Sequence, residues 1–257
     1  MIMKEWTALC DHISGYGKAA LSFSGGVDST VLLAAAARTL PDDHIAIFVN
    51  VPMLSERQRT VAKNITEELG VDTVTVKLEW EDMPGVRENT HERCYFCKRA
   101  IYSAVGRVSS DNGYDIFIDG ENSYDRTYER PGRRAAAEFG IRSPLKELNI
   151  DRETVRKMFR SLDLSTDVQK ETCMATRVRD GIAFNTDDLK LIEECEDLIR
   201  KISGVRQIRM RMRDDHVDLV TSSGSVGMLL SKEKELTHFL TKKGISDVRV
   251  DMNGYYE

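Results

Sequence analysis

The sequence predicts an α/β protein in which a mainly parallel sheet is covered by helices on both faces, followed by a smaller C-terminal α+β domain. Three observations predict it. Short β-type runs alternate with helical patterns through the first 150 residues. Those runs are apolar at successive positions, as in strands buried on both faces. After about residue 172 the alternation stops and an amphipathic helix with short strands takes over. The expected domains are therefore 1–170 and 171–257.

The strands of the first domain are read at 19–24 (AALSFS), 44–51 (HIAIFVNV), 72–80 (DTVTVKLEW) and 114–120 (YDIFIDG). Between them, 28–40 and 55–70 are helical in period and composition, and 93–110 is a third helix. Residues 148–164 add a helix with Asp151 as N-cap and Glu153 in its first turn. In the second domain, 185–204 is a helix capped by Asn185 or Thr186 and stopped by Gly204. Strands follow at VRQIRMRMR and at 217–222, then a last helix in SVGMLLSKEKELTHFLTKKG and a final strand in DVRVDM.

The 257 residues, 41% apolar and 31% charged, suit a soluble protein with proper cores. A net charge of −5 argues against a large nucleic-acid-binding face. Five cysteines are too few for a disulfide scaffold, and an odd count points to a reducing compartment. The N-terminal residues lack a continuous apolar segment, and no run of about 18 apolar residues occurs. A cytoplasmic protein is expected.

The loop FSGGVDST (23–30) joins an apolar strand to an Ala/Leu-rich helix. Paired glycines let backbone approach a ligand closely, and the helix that follows presents free N–H groups and a positive dipole end. Ser24 and Ser29 add hydroxyls, and Asp28 is a hard oxygen ligand suited to Mg2+. The Walker A spacing is absent. The full string Ser24–Ser29 matches the PP-loop of ATP pyrophosphatases, which cleave ATP between the α- and β-phosphates and adenylate an oxygen. The loop has no lysine, so other cations are expected at the phosphates: Arg177, or the Arg209, Arg211 and Arg213 stripe along one strand face.

HERCYFCKRA (91–100) places Cys94 and Cys97 three positions apart, and Cys173 precedes ATR further on. Three thiolates suit an Fe–S cluster with one iron left open. His91 with the same three cysteines would make a zinc site, and the CxxC pair alone would make a thiol–disulfide switch. Cys10 and Cys195 lie in helical patterns and read as structural.

Taken together, SFSGGVDST, RCYFCK, DG…YERPG (119–132), CMATRVRDG (173–181) and VRQIRMRMR (205–213) resemble the LarE-type sulfur insertases of the PP-loop superfamily. The resemblance runs over nearly the whole chain. It implies an adenine nucleotide alpha hydrolase-like fold and ATP-dependent sulfur transfer to carboxylates of a pyridinium mononucleotide, in nickel-pincer cofactor synthesis. It further implies ATP with Mg2+ at Ser24, Gly25, Gly26, Asp28 and Ser29, with adenine against 49–54. Cys173 would handle sulfur, and Thr176, Arg177, Arg209 and Arg211 would contact phosphate. Members with three cysteines hold a [4Fe-4S] cluster, here at Cys94, Cys97 and Cys173, whereas members with one sacrifice its sulfur. A small-molecule nucleotide, a sulfide source and a homo-oligomer complete what is implied. Two departures fall near the substrate phosphate: the usual SRxPYG reads TRVRDG, and HVDLV stands for an RIE-like string. tRNA thiolation, amide formation and nucleotide or Fe–S sensing remain the alternatives.

Overall fold

The computed structural model describes residues 2–123, 131–169 and 171–255. The chain divides into two compact units, Met1–Val86 with Glu92–Glu171, and Arg87–His91 with Thr172–Glu257. Within the described residues, no helix is long and apolar enough to cross a membrane.

The first unit opens with α1 (Ile2–Ser14), which contains the helical pattern around Cys10. Its Leu9 and Ile13 are fully buried. β1 (Ala19–Phe23), β2 (His44–Asn50), β3 (Thr73–Lys77) and β4 (Phe117–Ile118) form one parallel sheet in the order β3-β2-β1-β4. β1 is central and buried over most of its length, which explains its unbroken apolar reading. α2 (Val27–Thr39) buries Ser29 to Ala36 on nearly every position, so small alanines replace an amphipathic stripe. α3 (Glu56–Leu69) starts in a capping box between Ser55 and Gln58 and ends on Gly70 at φ 64°.

Two strands are shorter than their sequence patterns. The run 72–80 leaves the sheet after Lys77, because the Glu79 N–H donates to Asp82 Oδ2 at 2.9 Å and starts a 3-10 turn, Trp80–Asp82. β4 keeps two ladder residues. α4 (Arg93–Asp111) follows, then α5 (Gly132–Glu138), α6 (Pro144–Glu147) and α7 (Arg152–Ser161). Asp151 caps α7 by accepting from the Thr154 N–H at 2.8 Å. Glu147 ties α6 to α1: it accepts from Arg142 Nε and Nη2 at 2.7 Å each and lies 2.8 Å from His12 Nε2. Arg142 first, opposed by burial and helped by His12, lowers the Glu147 carboxyl to about 2.

In the second unit, α8 (Thr186–Ser203) has a capping box between Asn185 and Asp188 and stops at Gly204 in the left-handed region. β5 (Arg209–Met212) pairs antiparallel with β6 (Val217–Val220), which pairs parallel with β7 (Val248–Val250). The expected single last helix is two, α9 (Val226–Leu230) and α10 (Glu233–Lys242). The break coincides with Ser231, whose hydroxyl donates back to the Met228 carbonyl at 2.8 Å.

Candidate active site

In the first unit the Ser24–Gly26 loop leaves β1 after Phe23 and enters α2 at Val27. Gly25 has φ +75°, and a Cβ there would lie 2.8 Å from the Ala62 Cβ, so the loop runs flush against α3. Gly26 is the N-cap and supplies no side-chain cap, leaving that helix end suited to an anion. The Ser24 and Ser29 hydroxyls lie 3.0 Å apart, and Ser29 Oγ donates to the Gly26 carbonyl at 3.0 Å. β4 delivers a second loop to the same place. A Cβ at Gly120 would sit 2.8 Å from the Ser29 nitrogen, and buried Asn122 donates to Asp28 Oδ1 at 3.1 Å.

These elements wall a cavity of about 680 Å³, within the range of a nucleotide-sized ligand. Ser24, Gly26, Asp28 and Ser29 form one side, and Phe48, Val49, Val51 and Leu54 form an apolar side. The third side is α4, through Cys94, Lys98 and Tyr102. Cys94 lies in the first turn of α4 and is exposed; Cys97 is half-buried one turn on. Positions i and i+3 share a helix face, so the two thiols point from one side.

Lys98 brings a cation to this cavity. Its Nζ donates to Tyr102 Oη at 2.8 Å, and Tyr102 Oη donates to Asp119 Oδ2 at 2.6 Å. Asp119 is 4% exposed and also accepts from Ser143 Oγ at 2.7 Å and the Glu121 N–H at 3.1 Å. Desolvation where its ammonium meets the cavity works against the Lys98 charge, yet Tyr102 and Asp119 outweigh it and raise the lysine above its ordinary range. Burial, opposed by Lys98 and reinforced by Asp119, likewise raises the Tyr102 phenol. Sequence reasoning passed over Lys98, Tyr102 and Asp119. The signal was present: Cys94, Lys98 and Tyr102 are spaced i, i+4, i+8 along one helix face.

The second unit gathers a different set. Cys173 is half-buried and precedes a 3-10 turn, Met174–Arg177. Thr176 Oγ1 donates to the Cys173 carbonyl at 2.7 Å and is itself exposed. Arg177, expected on a phosphate, is instead 1% exposed and paired with buried Glu196 at 2.9 Å. Arg209 and Arg211 share the half-exposed face of β5, with Met210 buried between them. Arg209 lies over the Tyr255 ring at 4.4 Å. Arg213, the third residue of the expected stripe, lies beyond the strand and pairs with Asp218 at 2.7 Å. Cys10 and Cys195 are buried, and burial raises both thiols, Cys195 to about 11.

No protein-family model matches the chain. It is 26% identical to the pyridinium-3,5-bisthiocarboxylic acid mononucleotide synthase of Lactiplantibacillus plantarum, over 91% of this chain and 86% of that protein. The resemblance to LarE-type proteins thus extends over nearly the whole chain. Uncharacterized proteins of Methanocaldococcus jannaschii and Synechocystis are 26% and 28% identical, each over 93% of this chain and 90% of its own length.

The LarE-type pattern departs at TRVRDG, where Pro-Tyr is replaced by Arg179-Asp180. Here the turn is held by Asn89, buried at φ +53°, whose Nδ2 donates to the carbonyls of Arg179 at 2.9 Å and Ile182 at 3.0 Å. Of the YERPG segment, Tyr128 to Arg130 lie outside the described residues. Cys94 and Cys97 belong to the first unit, and His91 and Cys173 to the second. Among the described residues, no group of three or more His, Cys, Asp and Glu side chains is gathered to hold a metal ion.

Proposed function

We propose that this protein is an ATP-dependent sulfurtransferase that adenylates a carboxylate of a pyridinium biscarboxylate mononucleotide and exchanges its oxygen for sulfur. The observation that carries the reading is the cavity lined both by the Ser24–Ser29 loop and, from α4, by Lys98 and Cys94. The name of the Lactiplantibacillus plantarum relative, which makes a bisthiocarboxylate, supports the choice of acceptor.

In the first step a substrate carboxylate oxygen attacks the α-phosphorus, the bond to the β-phosphate oxygen breaks, and pyrophosphate leaves. Backbone at Gly25 and Gly26 and the hydroxyls of Ser24 and Ser29 cradle that pyrophosphate. Asp28, oriented by Asn122, holds the magnesium ion that travels with ATP. Lys98 adds a fixed positive charge where negative charge develops. In the second step a sulfur nucleophile attacks the acyl carbon, the bond to AMP breaks, and AMP leaves with the oxygen. Thr176, Arg209 and Arg211 bind the substrate phosphate, and Cys173 handles the sulfur.

Thiolates are the donors a [4Fe-4S] cluster takes, and Cys94, Cys97 and Cys173 would be the residues to hold one. When bound, such a cluster would supply iron to which sulfide from an external source could be delivered. A tRNA acceptor is disfavoured by the net charge of −5.

The test is anaerobic incubation with ATP, magnesium, sulfide and the biscarboxylated mononucleotide. AMP, pyrophosphate and a product with sulfur in place of oxygen are expected together, and none without the acceptor. Tight ATP binding without turnover on that acceptor would make the protein a nucleotide sensor instead.

A further inference from the structure

Glu196 faces the interior from α8 and is 2% exposed. Its Oε1 accepts from Arg177 Nε and from the Met210 N–H, each at 2.9 Å. Its Oε2 accepts from Arg177 Nη2 at 3.3 Å and Arg200 Nη2 at 3.4 Å. Arg177 turns its remaining nitrogen, Nη1, to the residues around Cys173. It donates to Thr172 O at 2.8 Å, to Thr172 Oγ1 at 2.6 Å and to Cys173 O at 3.4 Å. One carboxylate thus fixes both the backbone on either side of the Cys173 α-carbon and the backbone between Arg209 and Arg211.

Stability does not ask for charge at this place. Two buried ions carry a desolvation penalty that an apolar pair of the same volume avoids. What the ion pair adds is direction, because a planar guanidinium and a carboxylate hold several partners at set angles. The parallel bridge from Val178 to Met212 extends the same attachment of the cysteine turn to β5.

We infer that Glu196 and Arg177 are positioning residues that hold the Cys173 thiol in register with the Arg209–Arg211 face. The consequence for turnover rests on the sulfur-transfer reading; the positioning itself does not. The test compares the full-length protein with Arg177→Met/Glu196→Leu, in which both charges go and the buried volume is filled. The double variant is expected to melt near the wild-type temperature and to keep its KM for ATP. Its kcat for sulfur transfer is expected to fall about 10²-fold, the scale of an ångström-sized misplacement. Alkylation of Cys173 by iodoacetamide, followed by peptide mass spectrometry, is expected to speed up as the turn is released.

A folded double variant with wild-type kcat and a wild-type Cys173 alkylation rate would overturn the inference. If that variant does not fold, Arg177→Lys keeps the charge but cannot fork between Glu196 and the Thr172 carbonyl. Faster Cys173 alkylation in Arg177→Lys supports the positioning, and an unchanged rate overturns it. If the wild-type protein transfers no sulfur, alkylation alone decides the positioning, and only the reaction reading fails.

Discussion

The loop at Ser24–Ser29 and the turn at Cys173–Arg177 are both short, and they are built by opposite means. The first is backbone held by steric fit: Gly25 against Ala62, Gly120 against Ser29. The second is backbone held by a buried ion pair, Arg177 with Glu196. A loop held by fit needs no side chain of its own to fix it, and it lines a cavity large enough for a ligand. A turn held by charge is fixed from behind, which leaves the thiol in front half-exposed.

The largest effect should come from breaking the charge-held region. Glu196→Ala leaves Arg177 buried without its carboxylate and should cost about 3–5 kcal/mol in chemical denaturation. A loss below about 1 kcal/mol, the scale of a surface pair, would mean the guanidinium finds water. Next comes the fit-held region. Gly120→Ala puts a methyl group 2.8 Å from the Ser29 nitrogen, a backbone atom. It should destabilise by about 1–3 kcal/mol and weaken ATP binding in calorimetry. Unaltered ATP affinity would show that the two loops are not in contact where phosphates bind.

This contrast also explains what was legible beforehand. The Ser-Gly-Gly-Val-Asp-Ser string, the Ser55 and Asn185 capping boxes and the strands flanking them are local patterns, and local patterns are written in consecutive residues. β4 was overestimated because apolar character continues past the two residues that pair. The Arg177–Glu196 tie joins positions 19 apart, and Asn89 reaches Arg179 across 90 residues. No spacing rule links such positions. Lys98 is hidden for a different reason: the arginines at 177, 209 and 211 stand out as cations in the sequence, whereas Lys98 sits beside the more conspicuous CxxC pair.

Two smaller effects sharpen the comparison. Lys98→Met should raise the KM for ATP by about tenfold, one charge-assisted hydrogen bond's worth, with melting temperature nearly unchanged because Lys98 is 46% exposed on its side chain. Its raised pKa means the charge is fully present below about pH 10.4, the unfolded lysine value. It is lost only above that, as pH rises through the folded value, so the KM for ATP should show no Lys98 limb between pH 7 and about pH 10. A limb in that window that vanishes in Lys98→Met would contradict the placement.

The smallest effect concerns the α1–α6 tie. Glu147 titrates at about 2, below the unfolded value of about 4.3. Its stabilisation is therefore present above about pH 4.3 and is lost as pH falls toward about 2. Glu147→Gln should flatten the acid limb of the stability curve there, measured by urea unfolding at stepped pH. An unchanged acid limb would place the acid sensitivity elsewhere.

The most direct test of the central claim, carboxylate activation by ATP followed by sulfur exchange, follows one oxygen atom. The acceptor carboxylate is labelled with heavy oxygen, and the AMP is analysed by mass spectrometry. The label is expected in the phosphate of AMP, with one labelled AMP for each sulfur installed. Label retained wholly in the acceptor, or AMP formed without it, would contradict the account.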